Sequence, residues 1–316
     1  TRSLLANDPE NSINGMGAYF ITLNRNKQSV CIDLKSPEGL KVFYDLVKKS
    51  DVVINNFGAG VPTRLKIDHA HLKEVNPRII SCSITGFGND GPGFKRPAFD
   101  QVAQAMGGGM SITGAGPDQQ IRAGIPIGDL GGGMFAVMGI QAALLERERS
   151  GEGQDVDVSM LDCQISLLNY MATMHFILKD LLKVAEFDKP EYDTQPGRWK
   201  DQDFINETLN KVLSKNTSAH WINLLEKARI PCAPVNKFSQ ALSDEQVLHR
   251  NMVVELSDPE GYKTKGPGNP IKFSRTNEET FTAAPGLGQH TDQVLNELLG
   301  MDAQEVKRLK TAKVIG

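Results

Sequence analysis

Hydrophobic and polar positions alternate along the first half of the chain in a repeating pattern. Residues 29–34 (SVCIDL) are β-rich, and Ser36-Pro37 follows as a helix start, with Ser36 as N-cap and Pro37 in the first helical position. Leu40, Phe43, Tyr44 and Val47 then fall at i, i+3, i+4 and i+7, which predicts an amphipathic helix over 39–49. Residues 51–54 read as a buried strand that stops at Asn55-Asn56-Phe57-Gly58. Helical spacing returns near 61–65 and 70–75, and 78–84 is a further apolar strand. Strand and helix alternating through short loops predict an α/β fold with a doubly wound parallel sheet.

Further along, helices are expected over 98–106 and 129–149. The second is dense in Gly, Ala and Met, small residues that let another backbone approach. Residues 154–160 alternate with period two, as a half-buried strand does, and an apolar helix is expected over 163–178. Composition shifts near residue 180 and is polar and charged from 183 to 223. Strands are expected at 251–256 and 270–273, and amphipathic helices at 291–299 and 303–309 close the chain. This divides the chain into a large domain over 1–180, a smaller one with linkers over 181–274, and a return to the large domain over 275–316.

Composition narrows the function. The 316 residues are 40% hydrophobic and 23% charged, with a net charge of −3 that argues against nucleic acid as the main partner. Cys31, Cys82, Cys163 and Cys232 form no C-x-x-C pair, so neither a disulfide framework nor a zinc site is expected. Reduced thiols fit a cytoplasmic setting, or the mitochondrial matrix in a eukaryote. His69 and His71 are too poorly accompanied to hold a metal. No apolar run reaches a membrane span, and the start TRSLLANDPENSING lacks a signal-peptide core, so a soluble protein is expected.

The glycines of SITGFGNDGPG (83–93) fit G-x-G-x-x-G at Gly86, Gly88 and Gly91. A dinucleotide site needs a helix directly after such glycines, and Pro92 and Pro97 forbid one. The loop still ends a parallel strand, where ligands bind in such sheets. Asp162 stands where the 154–160 strand gives way to a helix. It reads as an N-cap, but Ile165 leaves the capping box incomplete, and a carboxylate there suits a nucleophile or an anchor. Asp157 reads as a solvated strand residue, and Cys163 as a small buried one with no histidine base beside it. Lys27, Lys35 and Arg64 stand at the ends of successive elements, where together they could hold phosphates.

Taken in order, NRNKQSVCIDLKSPEG (24–39), DVVINNFGAG (51–60), NPRIISCSITGFGNDGP (76–92), RPAFDQVAQAMGG (96–108), GEGQDVDVSMLD (151–162), IPCAPVN (230–236), GNPIKFS (268–274) and LGQHTDQVLNELLG (287–300) span nearly the whole chain. They resemble the class III CoA-transferases, the CaiB/BaiF family of formyl-CoA and carnitine CoA-transferase type. The resemblance implies a Rossmann-like large domain, an interlocked homodimer, and no permanently bound cofactor, with coenzyme A entering as acyl-CoA substrate. It places the catalytic aspartate at Asp162 and CoA contacts at Ile32, Lys35, Asn56, Phe57, Arg64 and Phe99, with Arg96 as a further phosphate or substrate contact. The implied chemistry is CoA exchange between a thioester and a free acid, dicarboxylic acids foremost, through aspartyl anhydride and aspartyl-CoA intermediates.

The related acyl-CoA racemases carry a histidine where this chain has Phe99, so a two-base proton exchange lacks one base here. A non-catalytic CoA-binding homologue is the remaining alternative, and Asp162 with the intact motif run argues against it. Members of the family usually begin with a further strand and helix. They also carry a small-domain segment with a glycine loop between the positions of Asp180 and Leu181. Losing a first central strand would expose sheet edges that aggregate. The expectation is therefore that these segments belong to the protein and lie outside these 316 residues.

Overall fold

A computed structural model of the chain describes residues 2–114, 119–169, 213–227, 233–257, 263–272, 275 and 280–316. These divide into two compact units, one of residues 28–169 with 286–316, the other of residues 2–27 with the described residues from 213 to 285. The expected end of the 163–178 helix, the Asp180–Leu181 junction, residues 230–232 and Phe273 all lie outside the described residues.

In the second unit, β1 (Ser12–Ile13) and β2 (Met16–Gly17) pair antiparallel through Asn14-Gly15. Both turn residues have positive φ, the conformation that Asn-Gly favours in two-residue hairpins. Helix α1 (Ala18–Leu23) follows and buries Phe20 and Ile21 with Met16 against Val254, Leu256, Ala283 and Ala284. Val254 and Leu256 belong to the strand Val253–Ser257, close to the expected 251–256. Its antiparallel partner is Lys263–Pro267, not 270–273. Lys263-Thr-Lys is polar enough to read as loop, yet only Thr264 and Gly266 turn inward, and Pro270 has no N–H for a ladder.

In the first unit the expected alternation forms. Helix α2 (Pro37–Val47) starts as expected, the Ser36 hydroxyl accepting from the Gly39 N–H at 3.4 Å. Strand β3 (Val52–Asn55), helices α3 (Val61–Arg64) and α4 (His69–Val75) and strand β4 (Ile80–Thr85) follow. Then come α5 (Asp100–Met106), the 24-residue α6 (Ile127–Ser150), β5 (Asp155–Ser159) and α7 (Met160–Leu167). The strands lie in the order β3-β4-β5, all parallel, with Val52 opposite Ile80 and Thr85 opposite Ser159. Val47, Leu72 and Ile79 pack with Val53 and Val75 in a cluster built from α2 and α4, and Ala136 of α6 packs with Cys82, Val158 and Cys163. The chain is thus wound on both sides of the sheet. Burying each such aliphatic side chain contributes roughly 1.5–3 kcal/mol.

Residues 29–34 do not form the expected strand. They make one bridge, Ile32 to Ile315, flanked by hydrogen bonds from Asp33 N–H to Val314 O (2.9 Å) and from Gly316 N–H to Cys31 O (3.3 Å). The partner is the segment 314–316, and the pairing is a single bridge and not a ladder. The tail helices Thr291–Leu299 and Ala303–Thr311 form as expected, burying Leu295, Val306 and Leu309 against Val42 of α2.

The small residues of α6 serve contacts within this unit. A Cβ on Gly139 would stand 2.8 Å from Val156 Cγ1, and one on Gly131 3.0 Å from Leu167 Cδ1, so they let α6 approach β5 and α7. By length and composition α6 is apolar enough to cross a membrane. Here one side of it lies on the sheet, while Leu130, Met134, Val137, Met138 and Leu145 remain exposed.

Candidate active site

The parallel register brings the carboxyl ends of β3, β4 and β5 to one edge. At β5 the chain passes straight into α7. Ser159, extended at φ −100° and ψ 129°, is the last strand residue and the helix N-cap, and its hydroxyl accepts from the Asp162 N–H at 3.2 Å. Asp162 is therefore the third helical residue and not the cap that its position suggested; Ser-x-x-Asp over 159–162 is the spacing that shows it. Its exposed carboxylate sits in the first turn, where the helix dipole favours negative charge. The Leu161 N–H donates to Gly86 O at 3.1 Å, so the second and third amides of α7 both have partners. Fewer backbone donors remain for a developing oxyanion than a bare helix start would supply.

Gly86 begins the glycine loop and binds it to this junction, since its carbonyl also accepts from the Ser159 hydroxyl at 3.4 Å. A Cβ on Gly86 would fall 2.3 Å from the Ala98 Cβ, so only glycine fits where the returning chain crosses. Gly88, at φ +88°, donates to Thr85 Oγ1 at 2.9 Å, and the Asn89 N–H donates to Asp157 Oδ2 at 2.9 Å. Helix α5 starts only at Asp100, as the two prolines require, so the dinucleotide arrangement is absent. Phe99 is its N-cap residue and is 77% exposed, open to a ligand rather than packed in the core. The Arg96 guanidinium stacks 5.1 Å from the centre of the Phe87 ring, which fixes a cation on the loop.

At the end of β3, Asn56 Nδ2 donates to Ile84 O at 2.6 Å and ties its turn to β4, while Phe57 beside it is exposed. Asn56, Phe57, Arg96, Phe99 and Asp162 thus all belong to segments that leave this edge or are tied to it. Arg64 is exposed at the end of α3. Ile32 and the exposed Lys35 lie on the segment that pairs with the tail, ahead of α2.

Two features escaped the sequence reading. Asp100 is buried, its Oδ1 accepting from the Gly128 N–H at 2.8 Å and its Oδ2 from Gln104 Nε2 at 2.8 Å, so it joins α5 to the start of α6. Asp157 is exposed, as the alternation along β5 predicts, but it also binds the loop, and its carboxyl keeps only part of its water. Loss of water pushes its carboxyl up from the usual aspartate range, the Asn89 N–H opposes this, and the charges of Asp155, Asp90 and Asp162 add to the rise. Ser81, His69 and Asp155 also meet, but the Ser81 hydroxyl lies between the other two, bonded to His69 Nδ1 and to Asp155 Oδ1. A relay needs the imidazole in the middle, so this trio, in which only Ser81 is buried, braces β4 against α4 and β5. Cys163 is buried, and its thiol is pushed up by burial and then by Asp162, the opposite of an activated nucleophile.

Known proteins agree with this architecture. The sequence model of CoA-transferase family III matches residues 2–186 and 177–291. The succinyl-CoA:glutarate CoA-transferase of Mus musculus is 29% identical over 96% of this chain and 79% of its own length. The acetyl-CoA:oxalate CoA-transferase of Acetobacter aceti is 33% identical over 81% of this chain and 75% of its own length. Among solved structures, a CaiB/BaiF family protein from Brucella suis superposes with a TM-score of 0.76 at 28% identity, covering 90% of this chain and 86% of its own. With the family matched along most of its length and a carboxylate presented at the sheet edge, the chain belongs to CoA-transferase family III and is an enzyme of that class.

Proposed function

We propose that the protein exchanges coenzyme A between an acyl-CoA thioester and a free dicarboxylic acid, with Asp162 as the nucleophile. The observation that carries this reading is the Asp162 carboxylate, exposed in the first turn of α7 at the edge where the glycine loop and the Asn56-Phe57 turn emerge. The two relatives described above act, by name, on succinyl-CoA with glutarate and on acetyl-CoA with oxalate, which supports a dicarboxylate for at least one partner.

In this mechanism a carboxylate oxygen of Asp162 attacks the thioester carbonyl. The carbon–sulfur bond breaks, CoA leaves as thiolate, and an aspartyl–acyl anhydride remains. The thiolate then attacks the aspartyl carbonyl, releasing the donor acid as its carboxylate and leaving aspartyl-CoA. An acceptor carboxylate attacks this thioester to form a second anhydride and free thiolate. Attack of that thiolate on the acceptor acyl carbon gives the new acyl-CoA and restores Asp162. No water or net proton is consumed, and one hard exchange becomes easier covalent steps. Asn56, Phe57 and Phe99, with Ile32, Lys35 and Arg64, are proposed to hold the CoA moiety, and Arg96 a phosphate or the acid's second carboxylate.

A homodimer is part of the same proposal. Leu130, Met134, Val137, Met138 and Leu145 form an exposed apolar stripe at helical spacing on α6, which suits a second copy. Light scattering on the wild type and on Met134→Glu/Met138→Glu checks it, a dimer and a weakened dimer being expected.

Mass spectrometry of exchange between acyl-CoAs and a panel of dicarboxylates tests the reaction. Asp162→Asn and Asp162→Ala are expected to abolish exchange while CoA still binds. Full activity in either would sink the assignment.

A further inference from the structure

We propose that Asp157 is a positioning residue of the transfer reaction, one that holds the glycine loop against the β5–α7 junction presenting Asp162. This rests on the reading of Asp162 given above. Asp157 and Ser159 are two apart on β5 and share a face. Both hold the loop, Ser159 through Gly86 O and Asp157 through the Asn89 N–H at 2.9 Å. The Thr85, Ser159 and Leu161 ties fix the root of the loop, at Gly88 N–H and Gly86 O, and the bond from Asn89 N–H to Asp157 lies beyond them. A Cβ on Gly88 would lie 3.6 Å from the same Asp157 oxygen, so the carboxylate stands beside Gly88 as well as bonding Asn89.

This placement is electrostatically unfavourable. Asp155, Asp90 and Asp162 all act on Asp157 as like charges. A side chain kept against such a field, while its oxygen takes one backbone N–H, is a local conflict of the kind found at functional sites. The loop carries Phe87, on which Arg96 stacks, so anchoring it also sets where that guanidinium stands relative to the nucleophile.

The test uses Asp157→Ala and Asp157→Asn in the full chain, with Asp162→Asn measured in parallel. Steady-state exchange, thermal unfolding and hydrogen exchange of the peptide covering 86–91 are read for each. Losing the bond in Asp157→Ala is expected to lower kcat/KM about tenfold, to speed exchange in that peptide, and to leave Tm unchanged or higher. Asp157→Asn still offers a carbonyl oxygen and is expected to recover most of the activity. Wild-type kcat/KM and loop protection in Asp157→Ala would overturn the proposal. So would equal impairment of both variants, or losses that only follow a fall in Tm. An active Asp162→Asn would instead remove the nucleophile reading, while the loop-protection result still reports on the tether.

Discussion

One hydrogen bond, from the Asp162 N–H to the Ser159 hydroxyl, joins the last residue of β5 to the carboxylate-bearing residue of α7. Ser159 is 3% exposed, so water cannot replace it as a partner. Ser159→Ala is expected to cost about 1 kcal/mol of stability, as loss of an N-cap does, and to lower turnover because the first turn of α7 is no longer pinned. Ser159→Thr keeps the hydroxyl and should sit between the two. Urea unfolding with exchange assays measures both effects, and an unchanged stability in Ser159→Ala would refute the capping role.

The thiols give an independent check on the nucleophile. Burial, followed by the charges of Asp155 and Asp157, pushes the Cys82 thiol up to about 11, and Cys163 is also pushed up by burial and Asp162. Both remain protonated near neutrality, so iodoacetamide is expected to leave them unmodified in the native enzyme while the less buried Cys31 reacts. Cys163→Ala should keep exchange activity within a few-fold. Its loss in a folded variant would move the covalent chemistry from Asp162 to the thiol.

Much of the large unit was legible because its signals are local. Ser36-Pro37 announced α2, the apolar runs announced β3 and β4, and the two prolines after the glycines kept a helix from following at once. Asn14-Gly15 carried an equally local hairpin signal that the reading passed over. What stayed hidden depends on distant partners. Residues 29–34 have strand composition, but their neighbour is the tail at 314–316. Asp100 gives no sign in sequence that it will accept from Gly128, nor Asp157 that it will meet Asn89. Of the site, Asp162 was found by its junction and by resemblance, while its cap and tether required the sheet register.

Asp157 also makes stability depend on pH. Its carboxyl is raised in the folded protein, so folding favours the protonated form. That contribution is fully present below the unfolded aspartate pKa and is lost as pH rises through the folded one. At neutral pH the ionised group therefore destabilises the fold, and Asp157→Asn, neutral throughout, should be the more stable protein. The difference is expected to shrink as pH falls through the acid range. Urea titrations of both proteins from neutral to acid pH measure it, and a constant or inverted difference would contradict the assigned direction.

Gly86 and Ala98 should be energetically coupled. The Cβ of Gly86→Ala would stand 2.3 Å from the Ala98 Cβ, a contact that must displace either the glycine loop or the chain entering α5. Overpacking of this kind typically costs 1–3 kcal/mol. Here it also shifts the carbonyl that receives the Leu161 N–H, so exchange activity should fall with stability. Removing the opposing methyl group reverses the argument. In Ala98→Gly the next atom that the new Cβ meets is the backbone Cα of residue 98 at 3.6 Å, an ordinary van der Waals distance. The double variant Gly86→Ala/Ala98→Gly is therefore expected to regain most of the stability and activity lost in Gly86→Ala, with a coupling on the order of 1–3 kcal/mol. Additive losses in that cycle would show that Gly86 is needed for its backbone conformation and not for the close passage of Ala98.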